Sequence, residues 1–334
     1  MPQNNLQSVQ VATTGEALID LICAPSGMFE PCLGGAVYNL TRALARQGVE
    51  TLYLNPLSRD RFGRQLAAGL LDDGVHLAVA EPVAQVTSLA VVGVDEQGRP
   101  DYSFYRDGVA DRATSCAALT IACAQAPALR VVCTGGLALS PADANTYLPW
   151  LASQREAGRT VVVDANLRPS VMPDLDQYRS HVMTALQYAD IVKVSDEDLE
   201  CLSLPGANAL ERATHLLSRC RARFLALTLG PEGASLLTRC GQVFHAREME
   251  RVAVVDTVGA GDCFLAGLVC GVLEQALAPD WGLTEVPDEQ AKTLLCQAIA
   301  SASLCIERRG CVPPTREEVR RRLEQKAFEF CASR

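Results

Sequence analysis

Aromatic residues make up only 5% of the 334-residue chain, with Trp 2, Tyr 7 and Phe 8. A sequence so poor in rings yet 49% hydrophobic suits helices packed on a parallel sheet better than a β-sandwich. Histidine is scarcer still. His76, His181, His215 and His245 lie far apart, with no H-E-x-x-H or Cys/His ladder, so zinc chemistry is unsupported. Positive charge is in deficit, and the net charge of −9 argues against nucleic acid or an anionic membrane as partner. Long apolar runs are missing too: the longest uncharged stretch, residues 113–129, is broken by Thr, Gln and Pro and cannot span a membrane. The polar, uncharged first ten residues lack the basic region and apolar core of a signal peptide. The 14 cysteines form no C-x-x-C pair and read as small buried hydrophobes in a reducing, cytoplasmic compartment. Neither G-x-x-x-x-G-K-[ST] nor G-x-G-x-x-G after the first strand occurs, which excludes a P-loop and a dinucleotide-binding dehydrogenase.

What is present centres on residues 255–267. An apolar run at 252–255 predicts a strand, Gly259, Ala260 and Gly261 predict a turn, and residues 263–273 predict an apolar helix. Free backbone N–H groups and the positive end of the helix dipole would converge where only small side chains leave room, which makes a site for an anion. Asp262 beside that site makes chemical sense as the base for a hydroxyl attacking a phosphate. Taken alone, the turn reads equally as glycines for tight packing with an aspartate cap.

Along the chain, residues 9–13 predict a first strand that delivers Asp20, a carboxylate able to accept two hydroxyl hydrogen bonds, and otherwise a solvated loop acid. Gly34 and Gly35 precede a helix whose first turn carries Asn39, either a ligand contact or a cap. Residues 86–92 and 101–106 predict a hairpin through a turn at 95–98, a lid whose Tyr102, Phe104 and Arg106 close over a substrate or whose strands pair two subunits. Beyond residue 111, strands alternate regularly with helices, so the ligand edge carries the turns at 135–136, 164–169, 195–198 and 228–230. Residues 316–330 predict a charged amphipathic helix with its arginines in solvent.

Two of these segments together resemble the PfkB carbohydrate kinases: Gly34-Gly35-Ala36-Val37-Tyr38-Asn39 and Asp256-Thr257-Val258-Gly259-Ala260-Gly261-Asp262. The resemblance covers nearly the whole chain and is strongest to the fructokinases. It implies an α/β, ribokinase-like three-layer αβα sandwich over residues 8–330, with a mainly parallel central sheet and a small β lid at about 17–33 and 86–108. It implies an ATP-dependent transfer to a primary hydroxyl of a small sugar, with Asp262 as base and Gly259, Ala260 and Gly261 as the anion hole. Asp20, Gly34, Gly35 and Asn39 would hold the sugar, with Tyr102, Phe104, Arg106, Asn166 and Arg168 around it. Ser195, Thr228, Gly230, Gly233 and Gly261 would border ATP.

The family's N-x-x-E, which organises Mg²⁺ and its waters, is replaced by Ser195-Asp196-Glu197-Asp198, so Asp198 would act on Mg²⁺ through water with one methylene less reach. Asp256 matches the position near which some relatives bind a monovalent cation such as K⁺. The resemblance further implies a homodimer through the lid. Fructose is the leading acceptor, ahead of 2-keto-3-deoxygluconate, whose carboxylate Arg106 and Arg168 could meet. A sugar-binding regulator without catalysis would not need the base and anion-hole glycines, which are both retained.

Overall fold

The computed structural model describes residues 6–24, 26–94, 100–169, 172–277 and 279–333. The strands in chain order are β1 (Val11–Thr13), β2 (Leu18–Cys23), β3 (Phe29–Gly34), β4 (Thr51–Tyr53), β5 (His76–Leu77), β6 (Ser88–Val94), β7 (Pro100–Tyr105), β8 (Val131–Gly135), β9 (Thr160–Asp164), β10 (Ile191–Ser195), β11 (Phe224–Thr228), β12 (Ala234–Thr238), β13 (Val243–Glu248) and β14 (Phe328–Ser333). The α-helices are α1 (Ala36–Arg46), α2 (Arg61–Asp72), α3 (Cys116–Ala124), α4 (Ala144–Glu156), α5 (Leu175–Leu186), α6 (Asp196–Cys201), α7 (Ala209–Arg219), α8 (Ala260–Glu274), α9 (Asp288–Ile306) and α10 (Arg316–Gln325).

Ten strands form one sheet in the order β14-β13-β12-β11-β10-β9-β8-β1-β4-β5. From β11 to β5 every pairing is parallel, and β12, β13 and β14 complete the sheet antiparallel. Side chains alternate across a pleated strand, so consecutive residues serve opposite cores. On β9, Val161 and Val163 join the cluster under α3, α4, α5 and α7, while Val162 joins the cluster under α1, α8 and α9. On β10 the same alternation puts Val192 and Val194 on the first face and Ile191 on the second. Both faces are covered, which makes the expected three-layer αβα architecture of the ribokinase-like kinases.

A second sheet of four strands, β3-β2-β6-β7, rises from the carboxyl end of β1. Its β2–β6 pair is parallel and the rest antiparallel. The predicted turn at 95–98 lies outside the described residues.

Two expectations fail. Residues 252–255 form no strand, and Val254 and Val255 are 60% and 62% exposed. The end of that run is instead tied to α9, with Val255 and Asp256 N–H donating to Ile306 O at 2.8 and 3.2 Å, and the outer strand on β13 is β14, built from Phe328-Glu329-Phe330, residues predicted to be helical. The helix instead stops at Gln325, and the alternation of Phe328 and Phe330 suits a strand. Nor are all its arginines solvated: Arg322 is 7% exposed and pairs with Glu248 at 2.8 Å and Glu307 at 2.9 Å.

Candidate functional site

Parallel strands leave their carboxyl ends on one edge, and the polar turns gather there. Helix α8 starts at that edge after Gly259, which has φ +79° and whose Cβ, if it had one, would run into Cys311 Sγ. Only glycine fits there. The N-cap residue contributes no side-chain bond, and although Ala260 N–H donates to Thr257 O at 3.2 Å, the next amides of the 15-residue helix, those of Gly261 and Asp262, remain available to an anion.

Asp262 lies in the first turn of that helix and is 8% exposed. Asn39, in the first turn of α1, donates from Nδ2 to Asp262 Oδ2 at 2.9 Å. Burial raises the Asp262 carboxyl to about 7; the Asn39 bond opposes the rise, Asp164 adds to it, and Lys193 and Arg168 lower it. A carboxylate poised near neutrality is suited to receive a proton. The oxygen of the same Asn39 amide, Oδ1, is buried and has no partner among the described residues. An orphaned acceptor beside a base is what a bound hydroxyl group would satisfy.

Asp20 lies beyond the end of β1 as expected, within the next strand β2, with its carboxylate laid over Gly34: a Cβ on Gly34 would strike Asp20 Oδ2. Burial raises Asp20 to about 6, with Arg168 lowering it. Tyr102 and Phe104, two apart on β7, stack at 5.9 Å with an interplanar angle of 8°. Burial raises the Tyr102 phenol, with Arg168 lowering it and Asp20 adding to the rise. Phe104 instead packs with Leu18, Ala90 and Leu137. Arg168 donates to Asn166 Oδ1 at 2.6 Å, and Asn166 holds φ +35°. The strands β2 and β7 thus converge with α1, α8 and the turn after β9.

Arg106 is committed elsewhere. It bonds Asp111 Oδ2 at 2.9 Å, lies 3.8 Å from Asp143, and is 11% exposed in its side chain. It lines a cavity of ≈ 500 Å³ with Phe104, Arg112, Leu137, Asp143 and Met172. Ser195 and Asp198 form a capping box at the start of α6: Ser195 N–H donates to Asp198 Oδ2 at 2.8 Å, and Asp198 N–H donates to Ser195 Oγ at 3.0 Å. Asp198 Oδ1 accepts from Leu167 N–H at 2.7 Å. Both carboxylate oxygens are therefore oriented by amides, which leaves only outward lone pairs for waters of a metal. Asp256 is used similarly, accepting from Val258 N–H at 3.0 Å and Gly310 N–H at 2.8 Å. Thr228 ends β11 opposite Ser195, and Gly230 has open space where a Cβ would be. Gly233 shapes the turn into β12.

Two buried groups escaped the sequence reading. Lys193, 4% exposed, points to the α8 face of β10, with Nζ 3.1 Å from Asp164 Oδ1 and 3.0 Å from where a Cβ on Gly261 would stand. Burial opposes its charge, but Asp164 and Asp198 outweigh that and hold the ammonium above its usual range. A lysine interrupting the apolar run Ile191-Val192-Lys193-Val194 was the available signal. Glu16, 2% exposed, accepts from Ala36 N–H at 3.2 Å through Oε1, while Oε2 has no partner among the described residues. Burial raises its carboxyl to about 7, against the pull of Arg106.

The profile of the family described as pfkB family carbohydrate kinase matches residues 9–318. A fructokinase of Rhizobium leguminosarum bv. trifolii is 33% identical over 263 residues, 77% of this chain and 78% of that relative. The crystal structure of a Xylella fastidiosa fructokinase with bound ATP has a TM-score of 0.82 at 26% identity, covering 96% of this chain and 99% of that one. The aminoimidazole riboside kinase of Salmonella enterica, complexed with aminoimidazole riboside and an ATP analog, has a TM-score of 0.76 at 26% identity, covering 94% and 99%. Among the described residues no helix is long and apolar enough to cross a membrane.

Proposed function

The chain belongs to the pfkB family of carbohydrate kinases and is an ATP-dependent sugar phosphotransferase; we propose that its acceptor is fructose and that Asp262 is its general base. The observation that carries the assignment is Asp262 itself, buried in the first turn of α8 and bonded to an Asn39 whose Oδ1 lacks a partner. Asn39 and Asp20 hold the sugar's hydroxyl groups, with Tyr102 and Arg168 beside them. Asp262 removes the proton of the attacking primary hydroxyl, and the amides following Gly259 receive the phosphoryl oxygens. Thr228 and Gly230 border the nucleotide. Asp198, through water, and Asp256 are the candidates for organising Mg²⁺ and a monovalent cation such as K⁺. A divalent cation bound there would neutralise charge on the phosphates during transfer.

The commitment of Arg106 to Asp111 leaves Arg168 alone to meet a substrate carboxylate, which favours a neutral sugar over 2-keto-3-deoxygluconate. The small sheet acts as the lid over residues 17–33 and 86–108. Exposed Met28, Phe29 and Tyr105 on it support a lid-to-lid homodimer.

The test is ADP release from MgATP with fructose, 2-keto-3-deoxygluconate, ribose, glucose, tagatose and adenosine, alongside Asp262→Asn. Fructose turns over fastest, and Asp262→Asn keeps sugar binding while slowing turnover by about 10²–10⁴-fold. Undiminished turnover in that variant would remove Asp262 from the reaction, and preference for the keto-acid would replace fructose.

A further inference from the structure

Directly behind the anion-binding turn, three thiols that the phosphoryl-transfer chemistry does not use come together. Cys263 follows Asp262 in α8, Cys305 lies in the last turn of α9, and Cys311 lies just beyond it; their Sγ atoms all lie within 4.8 Å of one another. Cys263 and Cys305 are fully buried, while Cys311 is partly exposed and gives the cluster an approach from solvent. The cluster also supports the turn. Cys305 Sγ donates to Val258 O at 3.5 Å, and Cys311 occupies the space a side chain at Gly259 would need.

Filling that space would need no sulfur, whereas three sulfurs this close match what one soft ion spans. A metal–sulfur bond of about 2.3 Å sets sulfur–sulfur separations of about 3.8–4.0 Å in tetrahedral or trigonal geometry. Thiolates select Cu⁺ and Zn²⁺ among the first-row ions. The cluster contains three cysteines and no fourth donor among the described residues. Zn²⁺ in structural sites is almost always four-coordinate, whereas Cu⁺ is satisfied by three thiolates. We propose that Cys263, Cys305 and Cys311 form a three-thiolate site for a soft d¹⁰ cation, Cu⁺ in preference to Zn²⁺, whose occupation suppresses phosphoryl transfer.

Binding releases the thiol protons to solvent and forms three metal–sulfur bonds with no change of oxidation state. Three thiolates around one Cu⁺ carry a net charge of −2, placed beside Asp262 and the amides that receive phosphate oxygens. The ion also draws the residue after Asp262 toward the one packed on Gly259. Turnover is expected to fall by about 10²-fold at full occupancy, the scale of losing one donor from such a hole.

The experiment titrates the reduced full chain with Cu⁺ against a chromophoric chelator, following the Cu–thiolate band and, separately, ADP release. The triple variant Cys23→Ser/Cys240→Ser/Cys331→Ser, lacking the exposed thiols, binds one Cu⁺ per chain and more tightly than Zn²⁺. Cys311→Ala, which removes one of the three thiolates without adding bulk, weakens binding beyond the roughly 10–100-fold lost when a group that only orients a ligand is removed. Cys305→Ser does the same if it folds, and thermal unfolding of Cys311→Ala at the parent temperature separates ligand loss from misfolding. Loss of the ion in the triple variant, parental affinity in Cys311→Ala, or a preference for Zn²⁺ would each overturn the proposal. The binding readout needs no turnover, so its failure is distinguishable from failure of the sugar-kinase reading.

Discussion

Asn39→Ala separates the two tasks assigned to one side chain. In the folded chain Asn39 Nδ2 donates to Asp262 Oδ2 at 2.9 Å and, against the rise that burial causes, holds the carboxyl at about 7. A hydrogen bond to a charged group contributes about 1.5–3 kcal/mol, equivalent to roughly one to two pH units in the acceptor's titration. Without it Asp262 would titrate near 8–9, and its ionised fraction at pH 7 would fall from about half to about 1–10%. A general base works only when ionised, so the acidic limb of the kcat/KM profile moves to higher pH. The expected loss at pH 7 is about 5–50-fold, and the pH-dependent part closes to within about twofold at pH 9. The unpartnered Oδ1 adds a loss that pH does not recover, a roughly 2–10-fold rise in KM for the sugar from a lost neutral hydrogen bond. The assay is ADP release from pH 6 to 9 with sugar varied at each pH. A uniform loss at every pH, with the midpoint unmoved, would refute the claim that Asn39 tunes Asp262.

Lys193→Met should destabilise the fold by about 3–5 kcal/mol, because Asp164 is left buried without its cation, and Lys193→Met/Asp164→Leu should restore most of it. Urea midpoints decide the matter, with equal losses in the single and double variants counting against the pair. Glu16→Gln tests a carboxyl whose folded pKa of about 7 lies above the ordinary 4.5. A raised acid is bound to its proton in the fold, so its share of stability is complete below about 4.5 and lost as pH rises through about 7, up to about 3 kcal/mol. The variant should match the parent at pH 4.5 and exceed it at pH 8, and parallel stability curves would count against this. Gly34→Ala puts a Cβ where Asp20 Oδ2 lies, at the end of a side chain that can move aside. Stability should stay within about 0.5 kcal/mol while KM for the sugar rises and kcat holds, and an unchanged KM would separate Asp20 from the sugar.

The glycine turn at the start of α8 was legible because its signals are local: small residues, a helix start and an aspartate are adjacent in the chain. The Asn39–Asp262 bond was not, since it joins residues separated by 223 positions, and no spacing rule connects α1 to α8. Lys193 was readable in principle, as a charge at a buried period-2 position of a strand. Ser195 and Asp198 carried a second signal that went unread. The pattern [ST]-x-x-[DE] announces a capping box, and a capping box is what they form. The run at 252–255 misled for the opposite reason. Its valines have strand propensity, but propensity builds a strand only beside a ladder partner, and the backbone here bonds to Ile306 at the end of α9 instead. The three thiols could not be found from spacing, because Cys263 and Cys305 are brought together only by the packing of α8 against α9.

The site also has to solve an electrostatic conflict, and Lys193 is part of the solution. A carboxylate serves as a base near neutrality only where its surroundings raise its pKa, yet Asp262 shares its edge of the sheet with Asp164 and with the turn proposed to bind the anion. Three negative groups in low dielectric would repel one another strongly and hold Asp262 protonated. The dipole of α8 meets the anion from one side. From below, the pleat of β10 turns Lys193 onto the face shared with Asp164 and Gly261, where its ammonium pairs with Asp164 at 3.1 Å, adjoins the helix start and pulls the Asp262 carboxyl down. A neutral residue at 193 therefore has two consequences that burial alone would not produce. The acidic limb of the Asp262 profile moves up in pH, and nucleotide affinity weakens as the anion loses a counter-charge. Arg168 also lowers Asp262, but its guanidinium is fastened to Asn166 at the rim of the site, so it cannot take over from the ammonium beneath the helix.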